Sequence, residues 1–499
     1  MTASIPAIAP DFKTVAAAYE RGETSVLYTR RVDDLLTPVA AYLRLAASDA
    51  NTFLLESVEG GAWRGRYSAI GFDPDLIWQC RDGVASEARG MDVDRRRFTP
   101  LDAAPMTALR TVIEDARCPL PEGAPPLASG LFGYVGYDMV RYLERLPEKA
   151  AADPLEVPEA CLIRPKVMVV FDALKQEISI YCPVRPGEYS AREAYDAAAE
   201  RLHATLRKLA AATPDVAAPE GALGDRVSNQ SEDQYRNAVE TARRYIRAGD
   251  AFQIVPSQRF SADYPADPFC LYRSLRRLNP SPFLFFFRFD GFEIAGSSPE
   301  ILVRLRDGEV TIRPIAGTRP RGRTPAEDDA LEADLLADPK ERSEHLMLLD
   351  LGRNDVGRIS KPGSVKITSR EIVERYSHVM HIVSNVTGEL SEGEDVVSAL
   401  FAGFPAGTVS GAPKVRAMEI IDELEPHRRG VYAGAVGYFS ADGGMDTCIA
   451  LRTAVFKDRR MHVQAGAGVV LDSDPESERV ETVNKAAALF RAAEDSLGS

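Results

Sequence analysis

Two kinds of hydrophobic pattern alternate along the chain. Short apolar or alternating runs read as strands at Thr52-Phe53-Leu54-Leu55, Leu76-Ile77-Trp78, Val167-Met168-Val169-Val170-Phe171 and Ile178-Ser179-Ile180-Tyr181. Further strands are expected at 283–288, 301–305, 309–315, 433–439, 447–454 and 461–470. Helical periodicity falls near 12–20, 36–47 and 188–210, then near 231–248, 326–352, 411–424 and 475–495. The turns at Arg306-Asp307-Gly308 and Lys457-Asp458-Arg459-Arg460 are too short for a parallel crossover, so they predict antiparallel hairpins. The fold class is therefore α+β with large antiparallel sheets. A stretch rich in Ala, Pro, Gly and Asp at 211–230 reads as a linker between an N-terminal part, 1–210, and a C-terminal part, 231–499.

Composition narrows the function classes. The 499 residues are 45% hydrophobic and 27% charged, enough for a large core, and the net charge of -14 argues against a general nucleic-acid binder. A local basic pocket for an anionic small substrate remains compatible with that sign. The six cysteines are scattered without a CxxC, which argues against a disulfide framework or zinc site and fits a reducing cytoplasm. Met1-Thr2-Ala3-Ser4-Ile5-Pro6 does not resemble a secretory signal. The run Phe283-Leu284-Phe285-Phe286-Phe287 is too short to span a bilayer and reads as a buried strand.

Two carboxylate pairs carry the sharpest chemistry. Glu341/Glu344 and Glu478/Glu481 each have i, i+3 spacing in a helical segment, which puts both acids of a pair on one face. Exposed stripes with salt bridges would give the same pattern. If the four acids converge, they repel unless a cation joins them, and oxygen-only ligands point to Mg2+. The second pair follows a glycine-rich strand end, Gly466-Ala467-Gly468, where backbone amides can approach an anion, and precedes Lys485. Asp474-Pro475 predicts the start of that last helix.

Other motifs stay open. The stretch from Pro405 to Lys414 lacks the spacing of a phosphate loop; Thr408 or Ser410 either caps a helix near Ala412 or holds a carboxylate. The glycines at Gly130, Gly133 and Gly136 fail as a dinucleotide fingerprint and indicate close packing. His378-Val379-Met380-His381 is not a zinc-hydrolase motif. The arginines Arg319, Arg321 and Arg323 make either an anion-facing or a solvated loop.

In order along the chain, Leu54-Leu55-Glu56-Ser57, Asn279-Pro280-Ser281-Pro282, Ser298-Pro299-Glu300, the stretch from Pro314 to Gly322, Ser343-Glu344-His345-Leu346, Arg353-Asn354-Asp355, the stretch from Gly411 to Met418 and that from Gln464 to Asp472 resemble the chorismate-utilising enzymes. Within them the resemblance is to the anthranilate synthase component I family. It covers about residues 50 to 490 and implies antiparallel sheets forming a sandwich with helices packed outside.

The resemblance implies that Glu344 and Glu481 ligate Mg2+, with Glu341 and Glu478 assisting. It implies that chorismate is held by Gly317, Thr318, Thr408, Tyr432, Arg452, the amides of Gly466, Ala467 and Gly468, and Lys485. Glu300 matches the general acid, His381 matches a residue lining the pocket, and the resemblance implies that Glu300, His381 and Thr408 are the catalytic residues. Ala316 replaces the nucleophilic lysine of aminodeoxychorismate synthases, and Gln253 replaces the water-activating lysine of isochorismate and salicylate synthases. Both favour ammonia as the nucleophile.

The implied reaction is ammonia addition to chorismate, loss of the 4-hydroxyl and elimination of pyruvate to give anthranilate. A glutamine amidotransferase subunit would deliver the ammonia. L-tryptophan would inhibit at a separate site formed by Glu56, Ser57, Arg66, Pro282, Phe283 and Leu284. The rival readings are aminodeoxychorismate formation and a tryptophan-binding regulatory protein without catalysis.

Overall fold

A computed structural model describes residues 7–57, 65–147, 153–214, 221–376 and 379–498. His378 lies outside the described residues. Two long strands, Tyr67–Arg81 and Ala160–Asp172, pair antiparallel along their length and organise everything else. Pro74 and Pro165 are register partners at the middle of this ribbon, Asp73 beside them has φ +52°, and the pairing shifts register there. Proline cannot donate to the ladder, so the ribbon bends at that point and each half joins a different sheet.

On one side of the bend the strands run, in hydrogen-bonded order, Ser25–Val32, Glu177–Val184, the second half of Ala160–Asp172, the first half of Tyr67–Arg81, Thr52–Glu56, Phe283–Arg288, Glu293–Ser298, Thr453–Lys457, Arg460–Gly466 and Ser257–Asp263. On the other side, Gly130–Val135 pairs with Ala435–Ser440, and the sheet continues through Met445–Ile449, Ile301–Arg306, Glu309–Ile312 and Val379–Glu389. Both sheets draw strands from before and after 211–230. Gly133 allows its strand to lie this close: a Cβ there would sit 2.0 Å from the Cys161 carbonyl oxygen.

Aromatic side chains fill the space between the sheets. Phe53 stacks on Phe132 of the opposite sheet at 4.6 Å and touches Phe287 at 5.2 Å. Each such fully buried ring contributes roughly 1.5–3 kcal/mol by leaving water. The outer face of the first sheet is covered by Pro38–Leu45, Ala191–Ala210, Pro268–Leu278 and Pro475–Leu497. Pro105–Asp115, Pro339–Gly357 and Val396–Gly403 cover the other. The molecule is an α+β sandwich with helices outside, as the resemblance implies.

Three predicted elements divide. The helical pattern at 326–352 is two helices, Pro325–Ala337 and Pro339–Gly357, because Asp338 ends the first and caps the second with its carboxylate on the amides of Lys340 and Glu341. The strand expected at 309–315 stops at Ile312 before Pro314 and resumes as Ile315–Pro320. The strand expected at 447–454 is broken at Arg452, whose φ of +46° turns the chain. The two hairpin turns form where expected, with Asp307 and Gly308, and Asp458 and Arg459, all at positive φ.

Candidate active site

A cleft of about 820 Å3 opens between the last helix and the edge of both sheets. Thr318, His381, Arg452, Glu481 and Lys485 line it, together with the backbone turn Asn279-Pro280-Ser281 and Pro299. The remaining expected residues attach to this wall through hydrogen bonds and charge.

Glu300 sits directly behind Pro299, buried at 8% exposure. Its main-chain carbonyl accepts from the Ile449 amide at 3.1 Å, and the Thr408 hydroxyl donates to Glu300 Oε1 at 3.4 Å. Burial pushes its carboxyl up to about 8, while the Thr408 hydroxyl and the Arg452 charge pull the other way without winning. Thr408 caps no helix: that helix begins at Lys414, after Pro413, and Ser410 Oγ is spent on the Ala406 carbonyl at 2.8 Å.

His381 Nδ1 lies 2.8 Å from the Gly317 carbonyl oxygen and 3.1 Å from Thr318 Oγ1. A carbonyl only accepts, so Nδ1 carries the proton and Nε2 is left as an acceptor. Burial holds this imidazole below its usual range, so it is neutral near pH 7. Gly317 itself has φ +67°, and a Cβ there would come within 3.2 Å of Glu341 Oε2. A side chain would be strained and would crowd that carboxylate.

Lys485 bridges the last helix and the glycine turn, with Nζ 2.7 Å from Glu481 Oε1 and 2.9 Å from the Gly466 carbonyl oxygen. The Tyr432 hydroxyl packs against Gly466, 2.8 Å from where a Cβ would stand, and burial pushes its pKa up to about 12. The Ala467 amide is engaged by the Pro256 carbonyl at 3.2 Å. Gly468 packs on Gln253; a Cβ on it would meet Gln253 Nε2 at 2.5 Å. Gln253 is buried, and its Oε1 has no hydrogen-bond partner among the described residues.

The four glutamates feel one another. Burial raises Glu344, and the charges of Glu341, Glu478 and Glu481 raise it further, against Lys340. Glu478 is raised likewise, by burial and then by Glu481. The pairs on the Pro339–Gly357 and Pro475–Leu497 helices therefore face a common space. Among the described residues no three acidic, histidine or cysteine side chains stand close enough to enclose a metal ion. Mg2+ commonly takes only one or two protein carboxylates and fills its other positions with water and substrate. The all-oxygen, mutually repelling donor set fits that mode.

Two of the three arginines in the arginine loop are already engaged by carboxylates. Arg319 is bound by Asp334, Asp338 and Glu341, and Arg321 by Asp328. In the Arg353-Asn354-Asp355 stretch, the buried Asp355 pairs with Lys414 at 3.0 Å.

A second cavity lies near the middle of the sandwich, lined by Glu56, Ser57, Pro282, Phe283, Leu284 and Tyr67, with Arg304 and Arg306 at one side. Glu56 accepts from Tyr272 Oη at 2.6 Å and Arg276 Nε at 2.8 Å. Arg66 turns to Asp172, with a 2.7 Å ion pair, and the basic residues of the lining are Arg306 and Arg304, the latter paired at 3.1 Å with Asp446 on the same wall. The sequence signal for them was available: i, i+2 spacing on the Ile301–Arg306 strand puts both on one face.

A fold of two bent antiparallel sheets, with a buried acid, a basic wall and facing carboxylate pairs at their edge, defines a site for a small multiply anionic substrate. The chain belongs to the chorismate binding enzymes, a family that matches residues 51–491. Anthranilate synthase component 1 of Cereibacter sphaeroides is 58% identical over 492 residues, spanning 97% of this chain and 97% of the relative. The protein of the same name from Pseudomonas putida is 49% identical, over 92% of this chain and 93% of its own. A solved structure of anthranilate synthase component I from Streptococcus pneumoniae TIGR4 superposes with TM-score 0.77 at 38% identity, covering 92% of this chain and 98% of that one.

Proposed function

We propose that the chain is the ammonia-using subunit of an anthranilate synthase, converting chorismate and ammonia to anthranilate and pyruvate. The observation that carries this reading is Glu300. Loss of the 4-hydroxyl of chorismate needs a proton donor, and a carboxyl pushed up to about 8 by burial is still protonated at neutral pH. Arg452 and Lys485, both on the cleft wall, supply positive charge for the substrate carboxylates. His381, neutral and with Nε2 free to accept, orients a substrate hydroxyl without adding charge.

The identity of the nucleophile rests on two side chains. Ala316, in the Ile315–Pro320 strand, offers nothing that could form a covalent bond. Gln253 is neutral and cannot serve as a base for water, yet its unpartnered Oε1 can accept from an N–H. Both support ammonia. Glu344 and Glu481 would hold Mg2+, with Glu341 and Glu478 behind them, and the bound ion would anchor a substrate carboxylate.

Ammonia would come from a glutamine amidotransferase subunit, and L-tryptophan would bind the cavity beside Glu56 and Ser57 as a feedback inhibitor. No helix among the described residues is long and apolar enough to cross a membrane. A cytoplasmic setting suits the scattered, unpaired cysteines.

The test is direct. Purified protein given chorismate, Mg2+ and ammonium at high pH should develop anthranilate fluorescence. Folded protein that stays silent, or that yields aminodeoxychorismate on chromatography, would overturn the assignment.

A further inference from the structure

Behind the cleft lies a buried ion pair that touches none of its walls directly. Arg429 and Glu425 have side chains only 1% and 3% exposed, with Nη2 2.6 Å from Glu425 Oε1. Glu425 closes the Lys414–Leu424 helix, and its Oε1 also accepts from the Ser257 amide and hydroxyl, each at 2.8 Å. The remaining guanidinium donors leave the pair. Nη1 donates to the Val409 carbonyl at 2.6 Å, and Nη2 to the Val255 carbonyl at 2.7 Å. The guanidinium carbon lies 5.5 Å from the Tyr432 ring centre and 4.7 Å from that of Tyr137.

Three of these contacts, to Val409, Val255 and Tyr432, lead to expected site residues. Val409 follows Thr408, which donates to Glu300. Val255 precedes Pro256, whose carbonyl holds the Ala467 amide in the glycine turn. The Tyr432 hydroxyl packs against Gly466 at the start of that turn. Gln464, in the strand leading to that turn, donates to the Ser257 hydroxyl at 2.8 Å. One planar cation therefore ties together the three separate segments that carry Gln253, Thr408 and Tyr432.

We infer that Arg429, locked by Glu425, is a positioning residue that sets the Thr408 hydroxyl against Glu300 and fixes the Gly466–Gly468 turn beside Lys485. The inference rests on the reading of the cleft as the chorismate site. A lysine could keep the charge and pair with Glu425, but it has one nitrogen and cannot span two carbonyls on different segments. A carboxylate and an arginine buried for stability alone would be replaceable by apolar groups at little cost. The outward hydrogen bonds set this pair apart.

The experiment uses the full-length protein labelled with 13C-glutamate, with the Glu300 carboxyl signal assigned by its absence in Glu300→Gln. Arg452 is the charged group facing Glu300, and it stays in place in every variant. Arg429→Lys should raise the Glu300 titration midpoint by roughly half a pH unit as the Thr408 hydrogen bond is lost. With chorismate and ammonium it should also lower kcat about 10²-fold and raise KM for chorismate.

Glu425→Gln keeps the shape and should move both readouts the same way by less, which covers the case in which Arg429→Lys does not fold. The control is Arg164→Lys, at the bend between the sheets, where Arg164 binds Asp75 at 2.7 Å and Asp115 at 2.9 Å. It should lower Tm and leave both readouts in place. An unchanged or lowered Glu300 midpoint in the Arg429 and Glu425 variants, or equal changes in the Arg164 control, would overturn the positioning role. Wild-type protein that makes no anthranilate would overturn the reading of the cleft instead, and the titration would still judge Arg429 by itself.

Discussion

Thr408 and Glu300 lie 108 residues apart in the chain and meet through one hydrogen bond of 3.4 Å, hydroxyl to buried carboxyl. The bond lowers the pKa of a group that burial has raised, so it tunes how firmly Glu300 holds its proton. Removing it has a definite sign. Thr408→Val should raise the Glu300 pKa, and a general acid works only while protonated. The fall in kcat at high pH should therefore move to higher pH, by a fraction of a pH unit for a bond worth about 1 kcal/mol. The pH–rate profile of the variant beside wild type checks this.

Glu300 also links stability to pH. Its folded-state pKa, about 8, lies above the ordinary glutamate value of 4.5. The folded state thus keeps a proton that the unfolded state loses between those values, and stability declines as pH rises through that window. Glu300→Gln should remove the decline, so its Tm should exceed that of wild type increasingly from about pH 5 to pH 8. A parallel Tm profile for the two proteins would contradict the buried, protonated carboxyl.

The facing glutamates predict a metal response without any need for turnover. Mg2+ that binds only the folded state raises Tm in proportion to the logarithm of its concentration. Wild-type protein should show that rise. Glu344→Gln and Glu481→Gln should lose most of it, and both should stop making anthranilate. Lowering Glu481's charge should also let Glu344 ionise more easily, because Glu481 is one of the charges that raise it.

Lys485, on the cleft wall, has two jobs, holding Glu481 of the same wall and the Gly466 carbonyl. Lys485→Met should raise KM for chorismate at least tenfold, on the order of 1.4 kcal/mol or more for a lost charge-assisted contact. Its Tm in the absence of substrate should change little, since the side chain is half exposed.

At the second cavity, Glu56 is buried against Tyr272 and Arg276. Glu56→Ala should lower stability by a few kcal/mol, because it strands a buried hydroxyl and a guanidinium. It should also abolish protection by L-tryptophan in a thermal melt, while Arg66→Ala should leave that protection intact. Arg304→Ala or Arg306→Ala should weaken it.

How much of this was legible in the sequence depended on which physics set each feature. The glutamate pairs were visible because helical spacing alone places i and i+3 together, and Asp474 does cap the last helix through the Ser477 amide at 2.9 Å. Their facing each other was not visible, since it needs two helices distant in sequence to meet. The proton on Glu300 was out of reach for the same reason: burial is a property of the packed sheets.

The strand Lys366–Arg375 went unread because its mostly exposed, polar residues carry no hydrophobic alternation. Sequence leaves Thr408 open between cap and ligand, because only the fold shows the next helix starting at Lys414, beyond its reach. Arg66 was a plausible basic neighbour by sequence distance, but Asp172, on the paired strand, claims it.

The most direct measurement is product analysis with 15N-ammonium. Wild-type protein, chorismate and Mg2+ are mixed and the products resolved by mass spectrometry. The account predicts 15N-anthranilate and pyruvate in equal amounts, with the signal gone in Glu300→Gln. Isochorismate, salicylate or aminodeoxychorismate in place of anthranilate, or full activity in Glu300→Gln, would contradict it.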